Sequence, residues 1–195
     1  MHFLLLNGAG VFGSSKGRLN ASLVQLAKET LEGLGHETEQ TEIEKSFDPA
    51  QEAQKILRSD VIILHLPMWW MGEPWFVKKY IDEVFSAGGA TGKFLTGDGR
   101  HRTDPKHGYG TGGLLKDKKF LLCVTCNAPR EAFEEPEQFF EGQGVRGIFL
   151  HLYKAFEFIG IKGLPPFLAD DCMKNPDYAA YVAKYQQKLK ELFGK

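Results

Sequence analysis

The sequence predicts an α/β domain built on five parallel strands in the order 2-1-3-4-5, doubly wound, with helices on both faces. Three observations carry that prediction. Short, continuous apolar runs recur at Phe3–Leu6, Val61–Leu64 and Phe120–Thr125, as strands buried on both faces require. The segments between them carry apolar residues at helical spacing. Strand and helix alternate about five times along the chain, the pattern of a parallel sheet with crossover helices. The length of 195 residues suits a single domain, 1–195, inside the usual span of roughly 100–200 residues.

Taken in order, Phe3–Leu6 is the first strand and ends in Asn7-Gly8. A Gly/Ser loop leads to a helix over Leu19–Leu34, with Leu19, Leu23, Leu26, Leu31 and Leu34 on one face and Gly35 as its stop. The polar alternation His36–Ile43 reads as an edge strand. Asp48 and Pro49 open the next helix as N-cap and first helical residue. Val61–Leu64 forms the third strand, closed by Pro67. Pro74 opens a helix whose buried face carries Phe76, Val77, Tyr80, Ile81, Val84 and Phe85. Residues 88–113 hold nine glycines and few aliphatic residues, too long for an ordinary connection and read as a functional loop. Phe120–Thr125 is the next strand, followed by a helix around Gly147–Ile159 and a short strand near Ile161–Leu168. Pro176 opens a terminal helix with Tyr178, Tyr181, Val182, Tyr185, Leu189 and Leu192 on one face.

Composition removes several function classes. A net charge of -1 gives no electrostatic footprint for a general nucleic-acid binder. Three cysteines are too few and too odd in number for a disulfide framework, so a reducing compartment, the cytoplasm, is expected. The opening apolar run reaches Asn7 after six residues without a basic flank and is not read as a signal peptide. No apolar run approaches the ~20 residues that span a bilayer. The expectation is a soluble cytoplasmic domain without a membrane span.

The loop after the first strand matches several motifs. Gly8-Ala9-Gly10-Val11-Phe12-Gly13 is a literal G-x-G-x-x-G, yet Ser14-Ser15-Lys16-Gly17 prolong the loop where a dinucleotide fingerprint needs its helix. Glu32 lies inside the helix, where that fingerprint needs an acid at a strand end. Gly13-Ser14-Ser15-Lys16-Gly17 is a literal G-x-S-x-G, which leaves a serine hydrolase using Ser15 as a remote alternative. The strand ends well before Ser15, and no histidine follows His151 to complete a serine-first triad. A P-loop fails because Ser14 stands where lysine is required. The reading that fits is an anion cradle: Ser15, Gly17, Asn20 and Ser22 surround a helix start, with Lys16 and Arg18 adding positive charge. The plainer alternative is that Asn20 or Ser15 only caps the helix.

In an open parallel sheet ligands bind at the carboxyl ends of the strands, where loops 7–18, 66–73 and 125–131 converge. The second of these holds all three tryptophans, Trp69, Trp70 and Trp75, between Pro67 and Phe76. Trp75 and Phe76 are expected to pack under the following helix. Trp69 and Trp70, in a loop bounded by Gly72 and Pro67, suit a flat aromatic ligand. The third loop, Thr125-Cys126-Asn127-Ala128-Pro129, offers polar groups for the edges of such a ring.

These segments resemble the modulator of drug activity B family: Ser15-x-Gly17-x-Leu19-Asn20, Met68-Trp69-Trp70-Met71-Gly72-x-Pro74-Trp75, Tyr109–Gly113 and Thr125-x-Asn127-Ala128-Pro129. The similarity also takes in Lys78–Asp82 and the Phe139-Phe140 region, and so runs nearly the whole chain. The family consists of NADPH-dependent quinone reductases within the DT-diaphorase group of flavodoxin-like flavoproteins. The resemblance implies FAD as cofactor, NADPH as electron donor, a homodimer, and two-electron reduction of quinones to hydroquinones by a ping-pong hydride mechanism. It implies that Ser15, Lys16, Gly17, Arg18, Leu19, Asn20, Ala21 and Ser22 hold the FAD pyrophosphate and adjoining groups. Trp69, Trp70, Met71 and Gly72 would contact the isoalloxazine, with Tyr109 beside it orienting substrate, and Thr125, Cys126, Asn127 and Ala128 at its polar edge. Cys126 stands where some relatives carry a larger aromatic residue. The alternative within the same fold is a flavin-bearing electron carrier or redox-responsive binding protein without reductase activity.

Cys123-Val124-Thr125-Cys126 is a literal CxxC, but it ends a strand, where residues three apart point to opposite faces. Core packing is therefore expected of both thiols. No metal site is expected. His101 and His107 lie in the glycine-rich loop, and Arg100, Arg102, Lys106 and His107 make it locally basic, compatible with the extra phosphate of NADPH. Glu131, Glu134, Glu135 and Glu137 read as a solvated face.

Overall fold

A computed structural model describes residues 1–13 and 15–194. Ser14, part of the G-x-S-x-G and P-loop readings, lies outside the described residues. The first strand, β1 (His2–Asn7), lies between β2 (Glu37–Glu42) and β3 (Val61–Pro67), and β3 in turn pairs with β4 (Lys119–Thr125). All pairings are parallel, with Phe3 opposite Thr38 and Val61, and Ile63 opposite Leu121. The order 2-1-3-4-5 holds, with one amendment. The fifth strand is divided into β5 (Lys162–Gly163) and β6 (Phe167–Ala169), both paired with β4. Pro165 and Pro166 lie in the gap. Proline has no N–H to give to a ladder, so the pairing lapses there and resumes after them.

Seven helices occur among the described residues. The strands alternate their side chains between two layers. Phe3, Leu5, Val61, Ile63, Leu121 and Cys123 face α1 (Arg18–Gly33) and α7 (Tyr178–Phe193). Leu4, Leu6, Ile62, Leu64, Phe120 and Leu122 face the layer that contains α2 (Pro49–Arg58), α3 (Trp75–Ala90) and α6 (Leu150–Phe158). Each such side chain removed from water contributes roughly 1.5–3 kcal/mol, so the two layers hold the sheet from both sides.

Local signals explain the helix ends. The Asp48 carboxylate accepts from the amides of Ala50 (2.8 Å) and Gln51 (3.2 Å), as an N-cap should. At the end of α1, the Gly35 amide donates to the Glu32 carbonyl and the His36 amide to the Leu31 carbonyl, which satisfies the last turn. The terminal helix begins at Tyr178, two residues later than Pro176, because Asp177 caps it through the Ala180 amide (2.9 Å). The helix expected around Gly147–Ile159 is two pieces, α5 (Gly144–Ile148) and α6, separated at Phe149, whose ψ of 25° departs from helical geometry. The sequence reading also lacked a one-turn helix, α4 (Glu131–Glu134); Glu131, Glu134, Glu135 and Glu137 are all exposed there.

The glycine-rich excursion starts at Thr91, since α3 runs on to Ala90. It is tied down at its base. Phe94 is fully buried, its carbonyl accepts from the Leu114 amide, and the Leu115 amide donates to Ile159. At Gly113 a Cβ would sit 2.2 Å from the Gly160 nitrogen, so the two backbones meet where only glycine fits. No described helix is long and apolar enough to cross a membrane.

Candidate functional site

The carboxyl ends of the strands open into a cleft of about 560 Å³. Its first wall is the loop after β1. Phe12 and Ser15 exchange backbone hydrogen bonds (2.9 and 3.2 Å), folding the loop back on itself before α1. Gly17 then takes φ 68°, the left-handed region that favours glycine, and serves as N-cap with no side-chain hydrogen bond. The first intrahelical bond runs from the Ala21 amide to the Gly17 carbonyl (3.1 Å). Among the described residues no side chain caps α1, and its first turn carries no acid. The amides at the start of a helix and the positive end of its dipole therefore face the cleft unneutralised, with Lys16 and Arg18 beside them.

Asn20 is the residue on which the site closes. It is 3% exposed, and its side-chain nitrogen donates to the Thr125 hydroxyl at 2.8 Å. The amide oxygen of Asn20 is buried without a partner. The plain capping alternative does not describe either candidate: Asn20 bonds Thr125, and the Ser15 hydroxyl accepts weakly from the Gly17 amide (3.4 Å). A hydrolase reading requires a histidine on Ser15, and among the described residues that hydroxyl's recorded partner is the Gly17 amide.

The remaining walls come from Pro67, Met68 and Trp69 after β3, and from Thr125, Cys126 and Asn127 after β4. The loop after β6 adds Cys172 and Met173, and the first residue of α7 adds Tyr178. This last wall was missed in the sequence; the rule that ligands sit at strand carboxyl ends applies equally to the exit of the last strand and would have found it. Of the residues expected to hold a cofactor, Ser15, Lys16, Gly17, Arg18, Leu19 and Asn20 line the cleft together. Ala21 and Ser22 do not: both are exposed on α1, and the Ser22 hydroxyl donates back to the Arg18 carbonyl (3.0 Å).

A second cleft of about 410 Å³ adjoins the first, sharing Met68 and Asn127. Trp70, Met71, Ala128 and Pro129 line it, with Phe139 and Phe140 opposite. Trp70 is 88% exposed at its rim. Trp69 instead stacks on Phe12 (4.6 Å between ring centroids) and meets Phe76 edge-on (5.8 Å). Trp75 does not pack beneath its helix as expected; it is 72% exposed on the outer face of α3.

The turn that presents Trp70 is unusual. Trp69 and Gly72 exchange backbone bonds (2.9 and 3.1 Å) around Trp70 and Met71, whose φ angles are 45° and 66°. Such a two-residue hairpin ordinarily carries Asn-Gly, because both central residues must be left-handed. Placing side chains with a Cβ there costs roughly 1–2 kcal/mol per residue. Strain of this kind collects at functional sites.

Tyr109 lines neither cleft. It is exposed on the long loop, its ring 5.5 Å from that of Phe158 and beneath the Arg100 guanidinium (5.7 Å). Two members of the basic segment pair within the loop: Arg100 binds Asp98, whose carboxyl it holds below the usual range, and His107 meets Asp104 at 2.8 Å. The CxxC cysteines divide between the two layers, Cys123 towards α7 and Cys126 towards the cleft. Burial pushes the Cys126 thiol up to about 12 and Cys172 up to about 11, and raises Cys123 further.

Comparison with known proteins gives the same architecture a context. A model of the flavodoxin-like fold matches residues 1–192. NADPH:quinone oxidoreductase MdaB of Haemophilus influenzae is 48% identical over 194 residues, covering 100% of both chains. Among solved structures, NAD(P)H:quinone oxidoreductase from Methanothermobacter marburgensis superposes with a TM-score of 0.70 at 15% identity, covering 98% of each chain. General stress protein 14 of Treponema denticola, in complex with FMN, superposes with a TM-score of 0.61 at 16% identity, covering 98% of this chain and 96% of that one.

Proposed function

The chain belongs to the modulator of drug activity B branch of the flavodoxin-like family, and from that premise we propose that it is an FAD-dependent NADPH:quinone oxidoreductase. Its reaction converts a quinone, NADPH and a proton to a hydroquinone and NADP⁺, in a ping-pong cycle. The observation that carries the reading is the buried, unpartnered amide oxygen of Asn20 beside an uncapped helix start in the same cleft. A buried acceptor needs a donor, and the uncapped helix start favours an anion. A flavin nucleotide offers both, in its ribityl hydroxyls and its phosphates.

Ser15–Asn20 would hold the phosphates through backbone amides, with Lys16 and Arg18 as counter-charges. The cleft continues beyond that cradle to Met173 and the exposed ring of Tyr178. An apolar, aromatic extension of this kind favours a second ring system, adenine, and hence FAD over FMN. Trp69–Gly72 and Thr125–Ala128 would flank the isoalloxazine.

A flavin held there would supply the hydride-transfer chemistry between NADPH and the quinone. The protein orients the reactants. Trp70, Met71, Phe139 and Phe140 give the second cleft an apolar lining, against which the acceptor ring would lie. Tyr109 lines neither cleft of its own chain, and we assign its contact with the acceptor to the partner subunit's site in a homodimer. A cytoplasmic location is part of the same proposal, since three cysteines are too few and too odd in number for a disulfide framework.

The test is to purify the protein, record its visible spectrum, identify the released cofactor by mass and follow NADPH oxidation with a benzoquinone. FAD and sustained turnover are expected. FMN would overturn the cofactor assignment, and a yellow protein inert to NADPH would point to an electron carrier. Tyr109→Phe should slow quinone reduction more than flavin reduction by NADPH; equal rates in both half-reactions would remove that role.

A further inference from the structure

The left-handed turn at Trp70 and Met71 is held from outside. A two-stranded hairpin with one residue pair is not stable alone, and this one carries side chains where its geometry favours Asn-Gly. At its entry, the Met68 amide donates to the Thr125 carbonyl (2.9 Å). At its exit, the Glu73 carboxylate meets the Nε2 of His151 at 2.7 Å. His151 belongs to α6, 78 residues further along the chain. The Glu73 side chain is only 9% exposed, so its charge has lost most of its water and depends on that partner. Pro74, which follows, restricts Glu73 to extended backbone and passes the constraint directly to the turn.

We propose that Glu73 and His151 are positioning residues: their pair pins the Trp69–Gly72 turn in its left-handed form and so holds Trp70 and Met71 at the rim of the second cleft. The pair thereby sets the affinity for the quinone ring without touching it. The functional half of this proposal rests on reading the second cleft as the acceptor side; the mechanical half does not. Neither residue belongs to a motif that marks the site. Each is a polar surface residue by sequence, and only the approach of α6 to the loop after β3 brings them together.

The experiment uses the full-length flavoprotein and four variants: His151→Ala, His151→Gln, Met71→Gly and the His151→Ala/Met71→Gly double variant. Amide hydrogen exchange at Trp69 and Gly72 reports the turn, and KM and kcat for a benzoquinone with NADPH report the acceptor site. His151→Ala should speed exchange of both amides about fivefold, the worth of one partly buried pair, and raise the quinone KM by a similar factor with kcat little changed. His151→Gln, whose amide can still donate to Glu73, should restore both. Glycine at position 71 removes part of the turn's strain, so His151→Ala should matter less in that background.

Unchanged exchange in His151→Ala, or equal losses in the two backgrounds, overturns the pin. Faster exchange with an unchanged quinone KM overturns its link to the acceptor. Faster exchange in a protein that never turns over NADPH and quinone upholds the pin and overturns the functional reading instead.

Discussion

The side-chain nitrogen of Asn20 donates to the Thr125 hydroxyl at 2.8 Å, across 105 residues of sequence. It ties the first turn of α1 to the end of β4, so two of the cleft's walls move as one. Replacing Asn20 by leucine should cost about 1–2 kcal/mol in folding free energy, because it removes a buried bond and leaves the Thr125 oxygen unpaired. The buried amide oxygen, which has no partner in the fold, is lost as well, and on the proposed function flavin affinity should fall about tenfold or more. Urea unfolding and fluorescence titration with released cofactor measure the two effects separately. A variant that keeps its flavin at wild-type affinity would remove Asn20 from the cofactor site.

Two glycines should respond to alanine with opposite sign. A Cβ at Gly113 would lie 2.2 Å from the Gly160 nitrogen and 2.3 Å from the Ile159 carbonyl carbon, backbone atoms that cannot rotate away. Gly113→Ala should destabilise by about 1–3 kcal/mol. Gly33, in the last turn of α1, has nothing within 4 Å of the same position. Gly33→Ala should stabilise by about 0.5–1 kcal/mol through helix propensity. The shift in urea midpoint reads both.

His65 gives the fold an acid sensitivity. It is completely buried in β3, with the Tyr185 hydroxyl 2.7 Å from its Nε2, and burial pushes its pKa down to about 3. An unfolded histidine titrates near 6.5. The unfolded chain therefore takes up a proton below about 6.5 that the folded chain refuses until about pH 3. Stability from this group is full above 6.5 and declines as pH falls, by up to about 1.4 kcal/mol per pH unit. His65→Gln should flatten that decline between pH 6 and about 4 by one proton. Urea unfolding at several pH values tests it; parallel curves for the two proteins would exclude His65 as the cause.

The three cysteines should be inert in the native state. Burial raises all of their thiol pKa values, with Cys126 at about 12 and Cys172 at about 11, and the thiolate is the reacting species. A thiol-disulfide reagent at neutral pH should label them far more slowly in folded protein than in urea. Rapid native labelling of Cys126 would reopen a redox role for the CxxC pair.

The fold was legible because its strands are buried on both faces and therefore read as unbroken apolar runs. Phe3–Leu6, Val61–Leu64 and Phe120–Thr125 need no partner information to be recognised. The convergence of Ser15–Asn20 on one cleft was legible for a related reason: in an open parallel sheet the loop after the first strand runs to the carboxyl ends of the strands. What stayed hidden depends on distant pairing. Asn20 reads as part of an anion cradle or as a cap, and only the fold brings it beside Thr125 as a cross-link. Met173 carries no signal in the sequence, and Tyr178 reads only as part of its helix's apolar face, until the strand ends converge. Trp75 shows the reverse error, since an aromatic residue at the start of a helix suggested packing and the helix turned it to solvent.

The break between β5 and β6 bears on how the molecule behaves at high concentration. A sheet's open margins are templates for another chain, and proteins blunt them with charge, proline and brevity. Here both margins are blunted. One is β2, with Glu37 and Glu42 standing exposed along it; the other is two short segments with Pro165 and Pro166 in the gap. The β5/β6 margin offers no uninterrupted row of unpaired amides and the continuous β2 margin is guarded by charge, so fusion of copies edge to edge into aggregates is disfavoured on both sides.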